Sequence, residues 1–239
     1  MILLGTSGWY YNHWIGNFYP PELERSRWLE FYSRHFSTVE INSTFYRFPF
    51  RNILKGWYNK TPDGFIFSLK ANRLITHVRK LRDVKELLES FYGLADILRE
   101  KLGPILFQFP PSLKKDANLL SEFLEILPEG YKNVIEFRHK SWYCREVYNI
   151  MRKHNTGYCI VSAPRLPCEI EVTADVAYIR WHGIKSWYSY NYTSDDIGWW
   201  AGEIRKLSER CNHIYGYFNN DYGGYAVKNC MELKGRLRV

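Results

Sequence analysis

The fold class that the sequence predicts is α/β, a single (β/α)8 barrel of the TIM type. Three observations point to it: a suitable length, short β-branched or aromatic runs alternating with helical segments, and a polar–apolar alternation inside those runs. The 239 residues match the roughly 250 over which one eight-stranded α/β barrel closes. Hydrophobic residues make up 46% and charged residues 24%, an ordinary globular balance that excludes a mainly disordered chain.

Strands are expected over Ile2–Ser7, Thr38–Asn42, Phe65–Lys70, Ile105–Phe109, Asn133–Arg138, Gly157–Ser162, Val176–His182 and His213–Asn219. Helical patterns fall between them at Glu24–His35, Arg51–Lys60, Asp83–Lys101, Asp116–Leu127, Cys144–His154 and Ser194–Arg210, with a last helix from about Gly224. Such alternation implies βα units around a parallel sheet. Asp83 and Asp116 sit where N-caps belong, and Gly103-Pro104 is placed to stop the third helix. The stretch between strands six and seven is irregular. With no internal repeat, low-complexity segment or long linker, residues 1–239 are expected to form one domain.

Side chains at i and i+2 of a strand share a face. Val39 and Ile41 therefore oppose Glu40 and Asn42; Phe65, Phe67 and Leu69 oppose Ser68 and Lys70; Ile105, Phe107 and Phe109 oppose Gln108. Ile135 and Phe137 oppose Glu136 and Arg138, and Ile179 and Trp181 oppose Arg180 and His182. The polar members cluster toward the C-terminal strand ends, where barrel enzymes keep their sites. A half-solvated antiparallel sheet would also alternate, but the helical spacers argue against hairpins.

The formal charge of +8 would concentrate anionic ligands such as phosphates or nucleic acid, although the basic residues are scattered and form no run. Five cysteines, with no C-x-x-C pair, fit a reduced protein. The N-terminus lacks a basic region ahead of its short apolar run, and no apolar stretch is long enough to span a bilayer. A cytoplasmic chain with no membrane partner is the expectation; the pattern fixes no oligomeric state. Aromatic residues reach 18%, with nineteen tyrosines and nine tryptophans.

The stretches Gly5–Pro20, Val39–Pro49 (VEINSTFYRFP), Phe67–His77 (FSLKANRLITH), Gly103–Leu113 (GPILFQFPPSL), Val134–Trp142 (VIEFRHKSW), Ala177–Gly183 (AYIRWHG) and Tyr217–Asn229 resemble the YecE-like proteins, a domain of unknown function. They span nearly the whole chain. The resemblance implies an α/β barrel and supplies no settled activity. A more distant similarity to barrel enzymes such as endonuclease IV and xylose isomerase is fold-level analogy.

Among the inward residues, Glu40 and Glu136 come from different strands, and a carboxylate pair in unlike environments can divide acid and base roles or ligate a metal. Arg138 and Arg180 are equally natural partners for interior carboxylates, so pairing alone is the competing account. The two guanidiniums would also suit a phosphate or carboxylate ligand. Lys70 would contact an anionic group, or act as an amine nucleophile if burial suppressed its charge; an ion-pair role is the plainer alternative. His182 is the candidate general acid or base, with His77 and His139 as loop alternatives. Asn42, Gln108 and Asn219 complete the expected ring.

Asn219–Gly224 follows strand eight and leads into a helix, a common phosphate position in barrels. Asp221 would repel phosphate there unless paired or metal-bound, and an ordinary βα turn is the alternative. Cofactors are unspecified: a divalent metal suits the carboxylates, but no H-x-x-x-H or H-E-x-x-H spacing supports one. The trinuclear zinc chemistry of endonuclease IV would need more strand-end histidines. Trp9, Tyr10, Tyr11 and Trp14, then Trp142 and Tyr143, then Trp187, Tyr188, Tyr190 and Tyr192 are expected in loops at the mouth, stacking on nucleobases or sugars or packing together.

The function expected is a hydrolase or isomerase-like barrel enzyme using Glu40, Glu136 and His182. Its partner would be an anionic, ring-containing ligand such as a sugar phosphate, a nucleotide or a nucleic-acid end. Lys70, Arg138 and Arg180 would hold the anion, with Asn42, Gln108, Asn219, Asp221, Trp9 and Tyr10 as further contacts. A non-catalytic nucleic-acid-binding protein and a glycosidase are the alternatives.

Overall fold

Each segment rich in β-branched and aromatic residues becomes a strand: β1 Ile2–Thr6, β2 Thr38–Ile41, β3 Ile66–Lys70, β4 Leu102–Gln108, β5 Asn133–Glu136, β6 Gly157–Ser162, β7 Val176–Trp181 and β8 His213–Phe218. The structure is a computed structural model describing residues 1–239. The eight strands form one sheet in the order β1-β8-β7-β6-β5-β4-β3-β2, every pair parallel. Between them lie α1 Trp28–His35, α2 Ser43–Tyr46, α3 Arg51–Asn59, α4 Lys85–Ala95, α5 Ala117–Glu125, α6 Arg145–Lys153, α7 Ser194–Ser208 and α8 Tyr225–Leu237. No helix follows β6; residues 163–175 run irregularly to β7. No helix is long and apolar enough to cross a membrane.

The barrel closes between β1 and β2 without a regular ladder. Ser7 forms an isolated parallel bridge with Glu40, and Gly8 N donates to Glu40 O at 2.8 Å. A Cβ on Gly5 would lie 2.1 Å from Thr38 O, so only glycine permits this approach. Below the bridge the Tyr32 hydroxyl from α1 stands in for the missing ladder bonds. It accepts from Thr6 N at 2.9 Å and donates to Thr38 O at 3.0 Å.

Two cores follow from the face alternation. Val39, Ile41, Phe67, Leu69, Ile105, Phe107, Ile135, Ile179 and Trp181 join the layer between barrel and helices. A smaller cluster fills the lower lumen: Leu3, Leu106, Val134, Cys159, Val161, Val176, Tyr178, Tyr215 and Tyr217. The interior is thus packed, as in other closed α/β barrels.

Three local expectations are corrected. Asp83 does not cap a helix: it sits at φ 51°, among left-handed Lys80 and Leu81, whereas a capping residue needs extended backbone. The helix starts at Lys85 instead, with no side-chain cap. The third helix ends at Ala95, a 3-10 segment continues to Lys101, and Gly103-Pro104 lies inside β4 rather than stopping a helix. There the register shifts, because Phe67 pairs with Leu102 and Leu69 with Ile105. Proline, lacking an N–H, is tolerated at such a bulge, and a Cβ on Gly103 would meet Ile66 Cγ2 at 2.4 Å. Finally, a 3-10 turn at Arg25–Arg27 precedes α1, so the helix expected from Glu24 begins at Trp28. Asp116 does cap α5, its side chain accepting from Leu119 N at 3.0 Å.

Candidate functional site

At the C-terminal end of the barrel the inward polar residues join into one hydrogen-bonded network around Arg180 of β7. Its Nη2 donates to Glu40 Oε1 at 2.6 Å and its Nη1 to Glu136 Oε2 at 2.5 Å. One guanidinium therefore bridges the two carboxylates. Glu40 also accepts from Ser7 Oγ at 2.5 Å and from the Tyr178 hydroxyl at 2.7 Å. Asn42 Nδ2 reaches Ser7 Oγ at 2.5 Å. Across the lumen, Glu136 accepts from Gln108 Nε2 at 2.8 Å and is ion-paired with Arg138 Nε at 2.6 Å. Gln108 Oε1 in turn accepts from Lys70 Nζ at 3.1 Å.

His182 packs on the mouth side of Arg180 with Nε2 at 3.1 Å from Glu136 Oε1 and Nδ1 at 3.1 Å from Asn219 Nδ2. Its Nε2 also lies 3.0 Å from Arg138 Nη2. Burial, followed by the Arg138 and Arg180 charges, drives His182 well below the usual histidine range despite Glu136, so the ring is neutral at physiological pH.

Burial pushes the Glu136 carboxyl up, but Arg138, Arg180 and the His182 hydrogen bond together outweigh it and hold it well below the usual carboxylate range. Arg180 is itself opposed by burial, yet Glu136 and Glu40 keep it firmly charged. Lys70 goes the other way: burial and the Arg180 charge lower it to about 7, against a weaker pull from Glu136 and Glu40. Its ammonium lies 4.1 Å from the centre of the Phe45 ring.

Access separates these residues. Glu40, Glu136 and His182 are 0% exposed and Arg180 1%, while Lys70 and Gln108 keep 8% and 9%. The Arg138 side chain is 10% exposed, with its guanidinium 4.7 Å from the Trp187 ring centre. A ligand arriving at the mouth therefore meets Asn42, Asn219, Arg138 and Trp187, with Lys70 and Gln108 just behind them, before the buried Glu40, Glu136, Arg180 and His182. A cleft of about 580 Å³ lies to the side, lined among others by Leu166, Ile184, Trp199 and Trp200.

All nine strand-end positions expected to converge do meet in this network: Glu40, Asn42, Lys70, Gln108, Glu136, Arg138, Arg180, His182 and Asn219. The loop residues do not all follow. Trp9 packs edge-on against Trp57 of α3, and Tyr10 against Trp28 of α1, so both rings turn toward the helical layer. Trp14 and Trp142 are fully buried, and Trp142 stacks on Phe137 of the outer core. Asp221 is occupied by Trp14 Nε1 and His13 Nε2, both at 2.8 Å, pinning the β1 and β8 loops together. Burial raises its carboxyl to about 6. His139 Nδ1 receives Ser141 N within its own turn. His77, on a π-helical turn over Leu74–Val78, meets the edge of Phe45.

Ser7, Phe45 and Tyr178 were not anticipated. Extending the alternation two residues back from Arg180 selects Tyr178, and two forward from Gly5 selects Ser7. Phe45 lies on the short helix α2, where no strand period applies. No group of three or more His, Cys, Asp or Glu residues is gathered to hold a metal ion, and the two buried carboxylates already carry guanidinium partners, so the residues present do not fit a metal centre.

Comparison with known proteins agrees on one family. Residues 3–239 match the model described as "Protein of unknown function DUF72". The UPF0759 protein YunF of Bacillus subtilis is 28% identical, covering 100% of this chain and 95% of its own length. The UPF0759 protein YecE of Escherichia coli is 29% identical over 146 residues, which cover 61% of this chain and 51% of YecE. A solved DUF72 family protein from Thermotoga maritima superposes with a TM-score of 0.91 at 32% identity, covering 100% of both chains. Another from Enterococcus faecalis gives 0.88 at 21% identity, covering 100% of this chain and 96% of that one. With the parallel barrel and a match along nearly its whole length, this chain belongs to the DUF72 family of TIM-barrel proteins.

Proposed function

We propose that the barrel mouth binds an anionic, ring-containing ligand and acts on it by acid–base chemistry, with Lys70 rather than the two carboxylates as the group that exchanges protons. The observation that carries this is the bridge from Arg180 to both Glu40 and Glu136. Together with the Arg138–Glu136 pair it supplies a cation to each acid, while Lys70 and the partly exposed Arg138 guanidinium are the cations nearest the opening. The Arg138 guanidinium beside the Trp187 face, with the protonated form of Lys70 against Phe45, suits a phosphate or carboxylate attached to a ring. Proton exchange near neutral pH favours a group whose pKa lies near the operating pH, and Lys70 is lowered to about 7.

Titration calorimetry against a panel of nucleotides and sugar phosphates tests the reading. Binding weakened at least about tenfold by both Lys70→Met and Arg138→Met supports it, one lost charge-assisted hydrogen bond being worth about 1.5–3 kcal/mol. Equal affinity in parent and variants would sink it.

A glycosidase mechanism needs two carboxyl groups about 5–5.5 Å or 6.5–9.5 Å apart across the scissile bond. Here the Arg180 guanidinium bridges Glu40 and Glu136, which argues against a sugar placed between them. Nucleic-acid binding is the second reading, favoured by Tyr46, Tyr188 and Tyr222, exposed on the three different connections that follow β2, β7 and β8. It predicts affinity that falls steeply with salt and is indifferent to Lys70→Met.

A further inference from the structure

We propose that Lys70 is a carbonyl-capturing nucleophile, and that the ligand class of the mouth is a small aldehyde or ketone bearing a phosphate. This deepens the anion-binding reading and rests on it for the phosphate. The geometry begins with an imbalance of partners. Arg180 and Arg138 take Glu136, and Arg180 also takes Glu40. Lys70 has no carboxylate within ion-pair distance, and its one hydrogen-bond partner is the neutral Gln108 Oε1 at 3.1 Å. Buried lysines are normally charge-paired; this one is held at a strand end in the mouth with an uncharged acceptor on one side and the Phe45 ring on the other. An unpaired, desolvated amine beside other cations is the arrangement that favours a free, nucleophilic nitrogen.

Gln108 links this amine to the anion side. Its Oε1 accepts from Lys70, and its Nε2 donates to Glu136, which is ion-paired with Arg138. The accessible Arg138 guanidinium then takes the phosphate while Lys70 faces the carbonyl carbon. The lone pair on Nζ forms the C–N bond and the carbonyl π pair moves to oxygen, which is protonated as Nζ loses a proton through water. Loss of that hydroxyl with one further proton from nitrogen releases water and leaves the imine. The lowered Lys70 value of about 7 supplies the required neutral amine at physiological pH.

The test incubates the full-length protein with dihydroxyacetone phosphate and cyanoborohydride, which reduces an imine to a stable secondary amine, and maps the adduct by peptide mass spectrometry. Unphosphorylated dihydroxyacetone and the carbonyl-free glycerol 3-phosphate form the other arms. The expected result is one dominant adduct at Lys70, reduced at least about tenfold by excess glycerol 3-phosphate or by omission of the phosphate, and absent in a folded Lys70→Met variant. Because the map reports every lysine of the parent protein, it does not depend on that variant folding. Binding of glycerol 3-phosphate without an adduct at Lys70 overturns the nucleophile and leaves the anion site standing. Equal labelling of Lys70 with and without phosphate supports the nucleophile and overturns the anion site. Labelling spread over surface lysines, with no phosphate binding, overturns both.

Discussion

Arg180 Nη2 and Glu40 Oε1 stand 2.6 Å apart with side chains 1% and 0% exposed, an ion pair wholly withdrawn from water. Arg152 and Glu171 make a pair of the same length on the surface, at 42% and 36% exposure. Equal distances should carry unequal consequences. Arg180→Met is expected to destabilise the fold by about 3–5 kcal/mol, because it leaves the buried Glu40 without a cation and Glu136 with Arg138 alone. Arg152→Met should cost less than about 1 kcal/mol, since solvent screens the exposed pair. Urea denaturation of both variants checks the contrast; similar losses would contradict it.

Lys70 should make stability depend on pH in an identifiable window. Its folded value is lowered to about 7 from 10.5. Between those values the unfolded chain binds more protons than the folded one, so its contribution favours folding increasingly as pH rises from about 7 toward 10.5. Below 7 the penalty for the buried charge is fully present. Lys70→Met should therefore be more stable than the parent at pH 6, by on the order of 2–5 kcal/mol, with the advantage shrinking by pH 10. Melting curves at the two pH values decide it. A constant difference would mean that Lys70 does not titrate there.

The seam between β1 and β2 relies on a hydroxyl from a helix. Tyr32→Phe leaves Thr6 N and Thr38 O without the partner they share. The expected loss is about 1–3 kcal/mol, the cost of unsatisfied buried backbone groups. Amide hydrogen exchange should quicken at Thr6 more than at Ile179 in β7. Uniform quickening would show that the hydroxyl is not specific to the seam.

The two aspartates expected to cap helices should respond oppositely. Asp116→Ala removes an N-cap bond at α5 and should cost about 0.5–2 kcal/mol. Asp83, at φ 51° and exposed, caps nothing. Asp83→Gly relieves a left-handed side chain and should be neutral or slightly stabilising. Thermal unfolding of both distinguishes capping from mere sequence position.

How much of this was legible in the chain depends on how local the cause is. Strand number, parallel arrangement and inward positions follow from a period of two and from spacer length, both properties of neighbouring residues. That is why Glu40, Lys70, Gln108, Glu136, Arg138, Arg180 and His182 could be named on one face before any contact was known. Asp83 and Gly103-Pro104 misled because their roles depend on a left-handed turn and on a bulge against β3, and composition carries neither.

The sequence offered Arg138 and Arg180 as partners for the interior carboxylates but could not assign the pairs. Which carboxylate meets which cation is set by the crossing of side chains from strands far apart in the chain, and Arg180 takes both acids only because β7 faces β2 and β5 across a closed lumen. The same closure decides the chemistry left over. Once both carboxylates are satisfied, the desolvated Lys70 amine has Gln108 alone for a hydrogen bond, and a residue that reads as one more cation in the chain becomes the titratable group of the mouth. Alternation along each strand put the polar ring on the inner face; the packing of eight strands around one axis set the charge that each member carries.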